Sequence, residues 1–213
     1  MFQLKPPARR RQRGLTLLEL LLSLTIFAFM LAIGIPNASN WLLSNRARSA
    51  SEFYADGFSL ARRQAVMHNS FSRISLTPNV NSGQMDWQVD ICFVSPATQC
   101  GAAEAGWSTV AVAAANDPEG AVGYKSVFRA AYALPNSEVL LPSTQPPGSS
   151  QVYYTPIGWV DTRFGPRLNS LRLDPAAKYV GEVPVVALVI TLAGMASKCD
   201  PRLPVTDTRA CPP

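Results

Sequence analysis

At 213 residues the chain can supply one domain with a real core plus an appendage. Charged residues are 15% of it and hydrophobic ones 47%, a skew that comes partly from one uninterrupted apolar segment near the N-terminus. The formal charge of +5 is local: Lys5, Arg9, Arg10, Arg11 and Arg13 lie in residues 1–14 with no acid, leaving 14 basic and 14 acidic side chains beyond, so bulk charge is excluded as evidence for a nucleic-acid partner.

Residues 15–35 hold a single charged side chain, Glu19. At about 1.5 Å rise per residue such a helix is roughly 30 Å long, enough to cross the hydrocarbon core of a bilayer. The basic cluster before it keeps that end cytoplasmic and sends the chain beyond Ile35 out of the cytoplasm. An ordinary secretory signal shares the basic start, but this apolar run is long for one, and Pro36-Asn37-Ala38 is a poor cleavage site. A carboxylate at membrane depth costs on the order of several kcal/mol unless paired or protonated, which marks Glu19 as functional.

The stretch Gly14-Leu15-Thr16-Leu17-Leu18-Glu19 resembles the prepilin peptidase site of type IV pilins and of type II secretion pseudopilins. The resemblance implies a leader of residues 1–14, cleavage after Gly14, N-methylation of the new N-terminal Leu15, and Glu19 as fifth residue of the mature chain. Pro36 then falls where many members carry a helix-kinking proline. It also implies as partners the prepilin peptidase, the inner membrane and other pilins or pseudopilins. Glu19 is then placed to meet the N-terminal amine of a neighbouring subunit, each charge offsetting the other's desolvation, although a pairing within its own chain one turn away stays open.

Beyond Pro36 the helical pattern continues. Leu43, Ala47, Ala50, Tyr54, Gly57, Ala61 and Ala65 recur every three or four residues, a seam of mostly small side chains for a sheet or helix to approach. Asn69-Ser70 is the expected stop, and His68, the only histidine, suits the negative end of the helix dipole in a capping or solvated role. The segments 71–77, 87–94, 107–115, 126–134, 151–155, 168–173 and 183–192 read as strands, with turns at 79–83, 116–120, 142–150 and 156–158. Trp87, Val89, Ile91 and Phe93 share one strand face, and Val185 to Ile190 are apolar on both faces, as in a central strand. The expected fold is α+β and pilin-like: a helix over 15–69, transmembrane at 15–35, packed on an antiparallel β-sheet domain at 70–213.

Three further stretches, Trp87 to Cys92, Tyr154 to Gly158 and Ile190 to Gly194, resemble in order and spacing the signposts of the GspH/FimT/FimU branch of this family. That branch implies a minor pilin priming or capping a pilus, or alternatively a minor pseudopilin of type II secretion. A third reading is a DNA receptor for natural transformation, since some FimT-like pilins bind DNA through a C-terminal Gly-Arg-x-Arg motif. The nearest stretch here, Gly194 to Cys199, lacks both arginines, so Lys198, Arg202 and Arg209 are the basic candidates and nucleic acid is not the favoured partner.

Cys92, Cys100, Cys199 and Cys211 form two close pairs in an exported segment, where disulfides are the default. Three pairings are formally open, and the local one, closing two short surface loops, is expected. A four-cysteine zinc site lacks the usual short spacings. No phosphate loop, paired-histidine metal motif or nucleophile elbow occurs, so neither catalysis nor a cofactor is expected.

Overall fold

The computed structural model describes residues 16–102 and 105–212, which divide between Trp41 and Leu42 into two compact units. The first helix, α1, spans Leu17–Met67. In the first unit every apolar side chain from Leu17 to Ile35 is exposed, and the stretch is long and apolar enough to cross a membrane. The helix continues through Pro36, whose missing N–H removes one intrahelical donor.

α1 ends on a Schellman motif. Asn69 takes the left-handed conformation (φ 46°), Ser70 N–H donates to Ala65 O at 3.0 Å, and Asn69 N–H donates to Val66 O at 3.3 Å. Among the described residues eight strands come after it: β1 (Phe71–Pro78), β2 (Met85–Cys92), β3 (Val127–Arg129), β4 (Leu140–Gln145), β5 (Gln151–Tyr154), β6 (Ser170–Pro175), β7 (Val186–Ile190) and β8 (Ala196–Cys199). They build two four-stranded sheets in the orders β3-β2-β1-β5 and β4-β6-β7-β8, with every pairing antiparallel. A long N-terminal apolar helix followed by an antiparallel β-sheet domain is thus the observed architecture.

One core joins the helix to both sheets. Ala47, Ala50, Tyr54, Phe58, Ala61 and Ala65 of α1 are buried against Ile74, Leu76, Trp87 and Val89 of the first sheet and Leu171, Leu173 and Leu188 of the second. The alternation of β1 buries Ser72, Ile74 and Leu76 on the helix side. Polar groups tie the layers together: Ser72 Oγ donates to Ala61 O at 2.6 Å, and Trp87 Nε1 donates to Phe53 O at 3.0 Å. Gln84, fully buried, donates from Nε2 to Leu140 O at 2.6 Å, and the Tyr54 hydroxyl accepts the Met85 N–H at 2.9 Å.

Several expected elements differ. Residues 107–115 are not a strand, because Val112 N–H donates back to Thr109 Oγ1 and Thr109 N–H to Val112 O, turning the run on itself. Only Val127–Arg129 of the expected 126–134 strand is extended. Leu140–Gln145, partly assigned to a loop, is an edge strand, where Pro142 is tolerated because one side of the strand needs no donor. β8 has no β-branched pattern and exists through its pairing with β7. On β2 burial is not confined to one face, since Asp90 and Cys92 are as buried as Val89.

Candidate functional site

The Gly14–Leu15 junction and residues 1–14 lie outside the described residues. The described chain opens at Thr16 on a helix start. The Thr16 hydroxyl accepts the Glu19 N–H at 3.2 Å, and Leu20 N–H donates to Thr16 O at 3.1 Å. Thr16 therefore caps α1, with Glu19 three residues on, where a carboxylate also favours the positive end of the helix dipole. Reasoning from sequence missed Thr16, although a threonine three residues before a glutamate at the head of an apolar run is the capping-box pattern. The hydroxyl of Ser23 donates to Glu19 O, and Thr25 Oγ1 donates to Leu22 O at 2.8 Å, so both satisfy themselves on the helix backbone. Glu19, Leu22, Ser23, Ile26, Phe27 and Met30 line one face, with Glu19 at its head and apolar side chains along most of the rest. Among the described residues, the Glu19 carboxylate has no cation within ion-pair distance.

The four cysteines form Cys92–Cys100 and Cys199–Cys211, with Cα separations of 5.7 and 4.8 Å. The first is not at the surface, as expected of a loop staple. Both of its cysteines are buried in a second, small core with Trp107 and Tyr153, against which Phe71 and Phe164 pack. The Arg73 guanidinium lies 4.5 Å from the Trp107 ring centroid while its Nε donates to the buried Asp90 carboxylate at 2.7 Å. The loop after β2 is thereby clamped on the outer face of the first sheet. Cys199–Cys211 instead closes a mostly exposed loop after β8.

The basic candidates are spoken for. Lys198 forms an ion pair with Glu52 of α1, Arg202 with Asp200 at 3.0 Å, and Arg209 with Asp207 at 3.0 Å. Hydrogen bonds from the Arg209 side chain hold the Asp207 carboxyl down at about 2, and those from Arg202 hold Asp200 below the usual carboxylate range. Lys198 and Arg209 do share an open groove of about 400 Å³ with Arg48, but Glu52 and Asp200 line it too, and Arg202 does not. His68 is half-buried, and its ring packs 5.2 Å from that of Tyr124, whose phenol burial, then the Asp90 charge, pushes up to about 12. Among the described residues no group of three His, Cys, Asp or Glu is placed to hold a metal ion.

No curated protein and no solved structure matches the chain. A family model described as the prokaryotic N-terminal methylation motif matches residues 9–35. That motif implies processing by a prepilin peptidase and assembly with other pilins, and together with the exposed apolar helix it supports a type IV pilin- or pseudopilin-like protein.

Proposed function

We propose that the chain is a minor type IV pilin, a structural subunit that primes or caps a pilus. It is anchored in the inner membrane by residues 15–35, with residues 70–213 in the periplasm before assembly. The observation that carries this reading is Glu19, a carboxylate with no ion-pair partner among the described residues, at the head of the exposed apolar stretch Leu17–Ile35 and within the matched methylation motif. Cleavage at Gly14–Leu15 would create a new amine four residues before Glu19 in the chain. Pairing Glu19 with the amine of an adjacent subunit would fix the axial register of one helix against the next. The exposed disulfide loop after β8, extra to the core, favours a pilus over a secretion pseudopilus. Pairing of Lys198, Arg202 and Arg209 with carboxylates favours protein contacts over phosphate, because binding nucleic acid requires cations free to displace counterions.

The test is Glu19→Ala. The variant is expected to be inserted and cleaved like the wild type, with mass spectrometry finding an N-methylated Leu15 in both. Its amount in sheared filaments should fall by at least about tenfold, the equivalent of roughly 1.4 kcal/mol of lost pairing. Normal incorporation would remove Glu19 from assembly. A mature N-terminus near residue 39 would replace the whole reading with a secretory signal.

A further inference from the structure

Two turns with the same chemistry meet at the end of α1. After β5, Thr155-Pro156-Ile157-Gly158-Trp159 closes with Thr155 N–H donating to Trp159 O (2.8 Å), Gly158 N–H to Thr155 O (2.8 Å) and Trp159 N–H to Thr155 Oγ1 (3.2 Å). Between β7 and β8, Thr191-Leu192-Ala193-Gly194-Met195 repeats the pattern at 2.9, 2.9 and 3.2 Å. Both glycines sit at φ +80°, where a side chain is strained. They also touch: a Cβ on Gly194 would lie 2.1 Å from Gly158 O, and one on Gly158 would lie 2.9 Å from Val66 Cγ2. Arg62 of α1 seals the junction, its Nε donating to Gly158 O at 3.1 Å.

These fixed turns display apolar side chains outward. Ile157, Trp159, Leu192 and Met195, with Val66 and Met67 of the last helical turn, are 50% to 73% exposed. Carried on two touching turns and the helix turn beside them, they expose on the order of several hundred Å², the scale at which apolar surface stops being incidental. Residues 154–160 and 190–197 contain no charged side chain. Arg62, partly buried, is the cation that reaches the junction, and among the described residues no carboxylate bonds its guanidinium. Trp, Met and Arg without Lys, Asp or Glu is the composition of a protein interface centre. A lipid surface would instead call for several basic residues around the apolar ones. An occupant that covers Arg62 must bring a negative acceptor, because an uncompensated cation removed from water is costly.

We propose that this end of the second unit docks a neighbouring protein subunit through an apolar patch that carries a carboxylate for Arg62. The inference rests on the reading of the chain as an assembled subunit. The test uses the full chain in its native host, with a photo-cross-linking amino acid at position 159 and, as a control, at the exposed Val122 in a different loop. The expected result is a protein adduct from 159 and none above background from 122, the cross-linked peptide lying beside an Asp or Glu. Ile157→Ser and Leu192→Ser, both surface changes that leave the turns' hydrogen bonds intact, should lower adduct and filament incorporation at least about tenfold. Arg62→Lys should retain the adduct, and Arg62→Glu should lose it and regain it when the partner's carboxylate is changed to Lys. If wild-type chain is absent from sheared filaments, the subunit reading fails and the docking proposal with it. If the chain is present but position 159 gives no protein adduct, or one with lipid alone, only the docking proposal is overturned.

Discussion

At Gly57 α1 packs tightly on the first sheet. A Cβ there would lie 2.9 Å from Ile74 Cδ1 and 3.0 Å from the Trp87 ring, so the absent side chain leaves the room that Ile74 and Trp87 fill. Alanine at this position gains about 1 kcal/mol of helix propensity, which offsets part of the crowding. A longer side chain has no such compensation. Gly57→Leu is expected to cost about 1–3 kcal/mol through displaced Trp87 and Ile74, and to lower the thermal midpoint of the second unit by several degrees. Thermal unfolding of Gly57→Ala and Gly57→Leu side by side checks this, and equal midpoints would show that the contact is slack. Tyr154 is the converse case: its hydroxyl is buried with no hydrogen-bond partner among the described residues. Tyr154→Phe removes an unsatisfied group and should leave stability at neutral pH unchanged or slightly raised.

At the scale of elements, the two disulfides do different jobs. Cys92–Cys100 is part of a packed cluster that holds the loop after β2 on the sheet, alongside Trp107, Tyr153 and the Arg73–Asp90 pair. Cys199–Cys211 closes a loop of exposed and half-buried residues, with Cys199 buried but Cys211 half-exposed. Thiol–disulfide exchange needs access of a thiolate to sulfur. Mild reductant followed by alkylation should therefore label Cys199 and Cys211 first, with Cys92 and Cys100 protected until the domain unfolds. Peptide mapping of the alkylated protein reads the order directly, and simultaneous labelling of all four would show that the cluster around Trp107 opens in the native state.

Over the whole molecule, the core that joins α1 to both sheets also buries phenols. Burial raises Tyr54 and Tyr154 well above the ordinary tyrosine value and, outside that core, the half-buried Tyr124 to about 12. Because these folded-state values exceed the roughly 10 of an unfolded chain, their contribution is fully present below pH ~10. It is lost as pH rises through 10 toward the folded values, since the unfolded chain gives up those protons first. Each such group contributes a slope of up to about 1.4 kcal/mol per pH unit. The second unit should thus lose stability above pH ~10, and Tyr154→Phe should flatten that decline. Chemical denaturation at pH 8, 10 and 11 measures it, and parallel behaviour of mutant and wild type would mean the phenol is already accessible.

The sequence by itself determined the features that depend on local pattern. The apolar run with Glu19 at its head, the small-residue seam from Ala47 to Ala65 and the alternation of β1 are each set by the spacing of side chains along one element, and each is seen in the structure. Even the helix stop at Asn69 belongs here, because an asparagine tolerates the left-handed conformation that ends α1. Tertiary structure decided the rest. Whether 107–115 extends, whether Pro142 joins a strand and whether Ala196–Cys199 pairs with β7 depend on which neighbour is available, and that information lies far away in the chain. The same holds for the meeting of Gly158 with Gly194 under Arg62. Each turn is written locally in a threonine and a glycine three residues apart, but only the packing of two sheets on one helix brings them into contact, because that contact requires all three elements to be in place at once.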